Sequence, residues 1–203
     1  MKEALLEHVA AFHPLSDELR SDLKNRLEIG KYAKGDYLLK AGSICQRMHF
    51  IVKGLVHCYS GSKIKPETDF FMTEGEIALS KESFYMRKAS DQHIEAMEKT
   101  ITVSISYEDL EVIYSKHLTF NINGRRMMEL YYQRSNFKLQ LLRTKGPDER
   151  YHFLKMHRPE LIERVHGKYL ASFLNMREET YCRIKTKVKK KKSLRQRNKK
   201  RHS

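Results

Sequence analysis

Between Ile29 and Ser106 the chain repeatedly stops and reverses. Glycines at 30, 35, 42, 54 and 61 punctuate short stretches of alternating apolar and polar residues, so no strand there can run far. Tyr37 to Lys40, Met48 to Val52, Leu55 to Tyr59, Thr68 to Met72, Ile94 to Ala96 and Ile101 to Ser106 read as strands. Short strands with regular turns bury their apolar faces by closing on themselves in a roll or sandwich. Beyond Ser106 the pattern is helical. The expected fold class is therefore α+β, with an N-terminal β-roll or sandwich.

Two helices precede the roll, at 3–12 and 16–28, separated by Pro14. Ser16 is placed to accept from a free amide of the second, and Asp17 and Glu18 suit the positive end of its first turn. Ser106 opens another helix, SYEDLEVIYSKH, with Asp109 at the capping-box position. A longer helical run extends from about Phe120 to Leu142. Its Met127, Leu130, Tyr131, Phe137, Leu141 and Leu142 fall near a heptad seam that would face a second copy of the chain, interrupted by Arg134. The same residues would also suit a helix packed on its own β-domain. Thr144, Lys145, Gly146 and Pro147 stop that run, and helices at 148–157 and 160–165 follow.

The segment GKYLASFLNMREETYCRIKTK, residues 167–187, reads as a helix-turn-helix. Leu170, Leu174, Met176, Tyr181 and Ile184 are spaced to face each other across two short helices, with small Ala171 where those helices cross. Asn175 supplies the turn, since Asn tolerates the left-handed region best after Gly. Arg177, Glu178, Thr180, Arg183 and Lys187 form the outward face. Apolar periodicity alone would also fit a helical hairpin with no DNA role.

The net charge is +15, and residues 189–203 hold nine Lys or Arg and no acid, leaving +6 for the rest. Such a tail, with Leu194 almost its only apolar residue, is expected to stay disordered until it meets a polyanion. Three scattered cysteines, Cys45, Cys58 and Cys182, argue for a reducing compartment and against a disulfide framework or zinc site. The first twenty residues are amphipathic rather than a signal peptide, and no apolar run approaches membrane-spanning length, so a cytoplasmic protein with no membrane partner is expected. His152, His157 and His166 match no tight ligand spacing, and no nucleophile, base and Gly-rich loop combine. No metal, cofactor or enzyme activity is expected.

Three strings in order resemble the Crp/Fnr family of transcription regulators, in a Bacteroidetes-type short form. KGDYLLKAGSICQRMHFIVKGLV resembles its β-roll signature, with turns held by Gly35, Gly42 and Gly54; LLRTKGPDERYHFL resembles the hinge after its dimer helix; KYLASFLNMREETYCRIK resembles its helix-turn-helix. The resemblance implies an α+β fold with a double-stranded, jelly-roll-like sensory β-roll over 1–118, a long dimerisation helix over 119–143, a helical helix-turn-helix DNA-binding domain over 144–188 and the basic tail over 189–203. It also implies a homodimer on a palindromic duplex, with RNA polymerase as a further partner. The recognition positions it indicates are Glu178, Glu179 and Arg183; Arg can donate two bonds to guanine and Glu can accept from cytosine. Glu179 and Arg183, four apart, could pair on the free helix. Arg177, Thr180, Lys185 and Lys187 complete the expected DNA-contacting set. Where the family places a capping Ser or Thr, this chain has Arg177, which cannot accept from the free amides.

A cyclic-nucleotide-binding member carries Gly-Glu for the ribose and, after a short helix, Arg then Ser or Thr for the phosphate. Aligned on Phe84, this chain places Leu79 and Ser80 at the first pair and Ser90 and Asp91 at the second; Gly75-Glu76 lies too early. The phosphate would lose its cation and face a carboxylate. No cAMP or cGMP binding is expected, with Arg87 or Lys88 as the remaining candidate cations and the effector unidentified. Two further functions fit the same composition: an RNA- or ribosome-associated protein bound through the tail, and a β-roll that docks another protein.

Overall fold

The computed structural model describes residues 1–144 and 146–200, with side chains placed except for Arg134 and 191–200. Helices α1 (Lys2–Ala10) and α2 (Asp17–Arg26) lead into the strands β1 (Glu28–Tyr32), β2 (Tyr37–Leu39), β3 (Arg47–Lys53), β4 (Val56–Gly61), β5 (Pro66–Met72) and β6 (Ile77–Ala78). The short helix α3 (Lys81–Met86) precedes β7 (His93–Ala96) and β8 (Thr100–Ser106). The helices α4 (Tyr107–Lys116), α5 (Phe120–Arg143), α6 (Pro147–His157), α7 (Pro159–Arg164), α8 (Gly167–Phe173) and α9 (Glu178–Lys200) complete the chain. The strands form two antiparallel four-stranded sheets, ordered β1-β8-β3-β6 and β2-β7-β4-β5. The fold is a β-roll followed by a helical C-terminal part.

Local chemistry explains most element boundaries. Ser16 Oγ accepts from Leu19 N at 3.2 Å and Ser106 Oγ from Asp109 N at 3.0 Å, as their cap positions require. Pro147 opens α6 at its first turn, where its missing N–H costs nothing. The six expected strands all form. Two more were not legible: β1 carries Gly30 in mid-strand, which reads as a stop, and β6 is only two residues long. Helix α3 is likewise too short for periodicity to mark it.

Ile51, Val56, Phe84, Val103 and Ile113, each 5% exposed or less, lie in the core of the roll, and α1 and α2 add Leu6 and Leu19 to it. The chain divides into two compact units, Met1–Ser135 and Asn136–Ser203, and the division falls within α5. The first half of α5 belongs to the roll: Phe120 is buried in its core, and Met127 and Tyr131 pack against it. In the second unit Leu141 is fully buried, and the Phe137 ring lies 5.2 Å from that of Phe153 on α6. Most of the seam expected from sequence therefore faces this chain's own cores. The reason is geometric: α5 is apolar over more than one face, and periodicity does not say which face each core takes.

The basic tail also differs from expectation. Helix α9 continues through Lys200, and 201–203 lie outside the described residues. No Gly or Pro interrupts 178–200, and Lys, Arg and Gln are good helix formers, so nothing local ends the helix at 188.

His49 on β3 is 6% exposed, with Nδ1 3.3 Å from Thr102 Oγ1. Burial, aided by the Arg47 charge, lowers its pKa from 6.5 to about 4. The folded protein therefore keeps this ring neutral at pH values where the unfolded chain already protonates it. Stability should be full above about pH 6.5 and fall by roughly 3 kcal/mol as pH drops through 4. Denaturant unfolding across that range should show the slope, and His49→Asn should flatten it. Asp22, held down at about 2 by hydrogen bonds from His117 and Lys116, loses its own contribution only below its ordinary 3.8, so the two windows separate.

Candidate nucleic-acid interface

Helices α8 and α9 meet through a turn whose hydrogen bonds are complete. Leu174 N donates to Leu170 O at 2.9 Å, Asn175 N to Ser172 O at 3.0 Å and Met176 N to Ala171 O at 3.0 Å. The last two bonds are the pair that defines a Schellman stop, which needs a left-handed residue at its hinge. Asn175 fills that place with φ +48°. A lysine from α5 adds to the stop: Lys138 Nζ donates to Phe173 O at 3.2 Å and lies 4.1 Å from the centre of the Phe173 ring.

The hairpin is fixed from beneath by a closed apolar core. Leu170, Ala171, Leu174, Tyr181 and Ile184 are each 2% exposed or less, as their spacing requires, and Leu154 and Leu161 join them from α6 and α7. The Tyr181 ring packs 5.7 Å from that of Tyr151 and runs close under Gly167, where a Cβ would sit 3.2 Å from it. Burial raises the Tyr181 hydroxyl above its ordinary pKa. With Tyr181 and Ile184 facing inward, the opposite side of α9 is fixed by helical geometry.

That outward side carries Glu178, Glu179, Cys182, Arg183, Thr186 and Lys190, all exposed, and Arg177 stands exposed just before the helix. Among the described residues Arg177, Glu178, Glu179 and Arg183 make no ion pair, so the expected Glu179–Arg183 pair is not formed. Three of the expected residues sit on the flanks. Thr180 is half-buried, the Lys185 ammonium lies 5.7 Å from the Tyr181 ring, and Lys187 Nζ is 3.5 Å from Asp148 Oδ1. Cys182, Thr186 and Lys190 were missed. Stepping three and four residues from Glu179 would have found them.

The cap position is also as the sequence indicates. Arg177 O accepts the first bond of α9, from Tyr181 N at 3.1 Å, while its guanidinium has no oxygen to offer the amides above it. Glu178 and Glu179 in the first turn offset part of that loss through the helix dipole.

Within the roll, two of the four residues aligned with a cyclic-nucleotide site, Ser80 and Ser90, are joined to each other. Leu79 is core, 5% exposed, and Ser90 Oγ lies 3.0 Å from Ser80 Oγ while accepting from Gln92 N at 3.0 Å. Asp91 is exposed. Arg87, in the left-handed region at φ +53°, donates to Cys45 O at 3.0 Å and Glu108 Oε1 at 3.2 Å, bonds Gln46, and lies over the Tyr107 ring. Lys88 is paired with Glu82 at 2.5 Å. The early Gly75-Glu76 is a turn: Glu76 N donates to Thr73 O, and its carboxylate accepts from Thr73 N at 2.7 Å. Among the described residues no cluster of His, Cys, Asp and Glu could hold a metal ion, and no helix is long and apolar enough to cross a membrane.

No family model matches the sequence. No curated protein matches it either. Solved structures do. FixK2 from Bradyrhizobium japonicum superposes with a TM-score of 0.65 at 15% identity, over 81% of this chain and 85% of its own. A CooA mutant from Carboxydothermus hydrogenoformans gives 0.63 at 16%, over 90% and 83%. The c-di-GMP responsive global regulator CLP of Xanthomonas campestris gives 0.62 at 13%, over 87% and 93%. At these identities the likeness establishes the fold, which is Crp/Fnr-like.

Proposed function

We propose that this chain is a DNA-binding transcription regulator of Crp/Fnr type, acting as a homodimer whose β-roll takes no cyclic nucleotide. The observation that carries the reading is the α8–α9 hairpin, with its complete left-handed stop at Asn175 and an outward face whose Arg177, Glu178, Glu179 and Arg183 are spent on no ion pair. Unpaired groups at the start of a helix can reach base edges: Arg183 would donate to guanine, and the two carboxylates would accept from cytosine. Lys185, Lys187 and Lys190 would follow the phosphates on either side and steepen the salt dependence. Selection of bound DNA from a random pool tests this. The expected product is an inverted repeat with half-sites about 34–36 Å apart; preference for structured RNA would favour an RNA-associated protein instead.

The dimer seam of this reading uses a side of α5 that neither core takes. Met128, Tyr132, Leu139 and Leu142 are 47%, 69%, 54% and 38% exposed, spaced four, seven and three residues apart. With Ser135 between them they form a heptad stripe.

Two results follow for individual sites. Arg177→Ser supplies the absent cap and should raise stability by about 1 kcal/mol; if Arg177 also touches phosphate, the same variant binds DNA more weakly. A melting curve and a gel shift read the two effects, and unchanged affinity removes Arg177 from the contact set. Titration calorimetry with cAMP should show no heat of binding, because Arg87 is held by Cys45, Gln46 and Glu108 and the Ser80 and Ser90 hydroxyls are joined. Micromolar affinity would overturn the assignment.

A further inference from the structure

The first unit contains a cavity of about 60 Å³ between the N-terminal helices, the β1-β8-β3-β6 sheet and α5. Its wall is apolar: Leu5 and Val9 from α1, Ile77 and Leu79 from the sheet side, Ile105 from β8 and Leu110 from α4. Among the described residues lining it, one is charged. That residue is Lys81, at the start of α3. Its ammonium lies 4.0 Å from the centre of the Tyr131 ring and donates to Ser135 Oγ at 2.9 Å, yet makes no ion pair. Partial burial lowers its pKa, and no carboxylate beside it offsets that. Tyr85 and Met128, exposed at 40% and 47%, stand on the same wall, with the Tyr85 hydroxyl 3.5 Å from Met128 Sδ.

We propose that this cavity binds a short-chain aliphatic monocarboxylate, its hydrocarbon tail inside and its carboxylate on Lys81. The tail follows from the wall, which offers dispersion contacts and almost no hydrogen bonds. The head follows from the position of the ammonium at the edge of this apolar space with no carboxylate paired to it, where a bound anion would gain a charge-assisted bond. The size follows from the volume: about 60 Å³ is well below the ~150 Å³ that accepts benzene, so a tail of roughly three to five carbons fits without repacking. Met48, Met127 and Met128 line the space and are the side chains most able to adjust around it. The site lies wholly in the first unit and does not depend on what the α8–α9 hairpin binds.

The test uses the full-length protein with labelled methionine methyl groups, isovalerate as probe, and 3-methylbutanol and acetate as controls. Isovalerate should shift Met48, Met127 and Met128 and leave Met156 and Met176 in place. Acetate, with the charge but no tail, should not shift them. Lengthening the tail should tighten binding about fourfold per methylene until the space is full. Lys81→Met should reduce isovalerate affinity at least tenfold and bring it level with the alcohol, and Lys81→Arg should restore the preference for the acid. Unmoved methionines at saturating isovalerate would overturn the proposal. So would equal binding of acid and alcohol in the unaltered protein, which would make the cavity an unspecific apolar space. The chain-length series needs no variant, so it decides the matter even if Lys81→Met fails to fold.

Discussion

In the proposed homodimer, replacing Tyr132 and Leu139 together by glutamate should leave the β-roll folded, turn the protein into a monomer and cut binding to a two-half-site operator at least ~100-fold. Both side chains are more than half exposed, at 69% and 54%, so neither core loses a member. Seven residues apart on α5, they would meet their symmetry mates at the centre of the seam, and four carboxylates there could not be buried without partners. A single hairpin on one half-site keeps its own contacts but loses the second as an intramolecular event, which is where the factor arises. Light scattering and a gel shift on one preparation read both consequences. A variant that stays dimeric would place the seam elsewhere. A variant that is monomeric yet binds the operator unchanged would show that dimerisation is not how the hairpin reaches DNA.

The second large effect concerns the turn between β3 and β4. Gly54, at φ +111°, turns the chain from β3 into β4, and a Cβ built there would lie 2.4 Å from Thr100 Oγ1 and 2.7 Å from Thr100 Cα. Thr100 is fully buried, and its hydroxyl donates to Glu98 O at 2.9 Å, so it has little freedom to withdraw. Gly54→Ala should therefore combine backbone strain with overpacking, roughly 2–6 kcal/mol together. That is a large share of the roughly 5–15 kcal/mol that holds a protein folded. Gly42 provides the control, since it too has positive φ, +87°, but a Cβ there would meet nothing within 4 Å. Gly42→Ala should lower the melting temperature only by the strain. Equal losses in the two variants would show that the Thr100 overlap does not matter.

Elements fixed by local chemistry were readable from the residues alone. Ser16 and Ser106 cap the helices they precede, Pro147 starts α6, and Asn175 takes the left-handed conformation of the α8–α9 turn. Each depends on which backbone angles or hydrogen bonds one side chain permits. The buried row Leu170, Leu174, Tyr181 and Ile184 was equally legible, because a helical period with one inward face determines its own outward face. On that outward side Cys182, Thr186 and Lys190 were passed over for want of completing the period. Charge alone did not place Lys185 and Lys187, whose ammoniums lie beside the Tyr181 ring and Asp148.

Sequence could not say which side of α5 is free. Met127 and Met128, or Tyr131 and Tyr132, are neighbours of the same type, and a helix apolar over several faces gives no reason to prefer one of each pair. The β-roll decided it by taking Met127 and Tyr131 into contact, leaving Met128 half-exposed at the edge of the cavity and Tyr132 outside. The fate of Arg87 was settled the same way: the sequence showed a cation within reach of a phosphate site, and the fold spent it on Cys45, Gln46 and Glu108. The pairing of Gly54 with Thr100, the joined hydroxyls of Ser80 and Ser90, and the Lys81 ammonium at an apolar cavity all bring together residues ten to forty-six positions or more apart. The sequence by itself determined the strands, caps and turn, because these follow from the angles and hydrogen bonds open to each residue and its near neighbours. Only the tertiary structure decided which apolar side stays exposed and which charges stay unpaired, because burial and pairing depend on what distant segments bring to the same place.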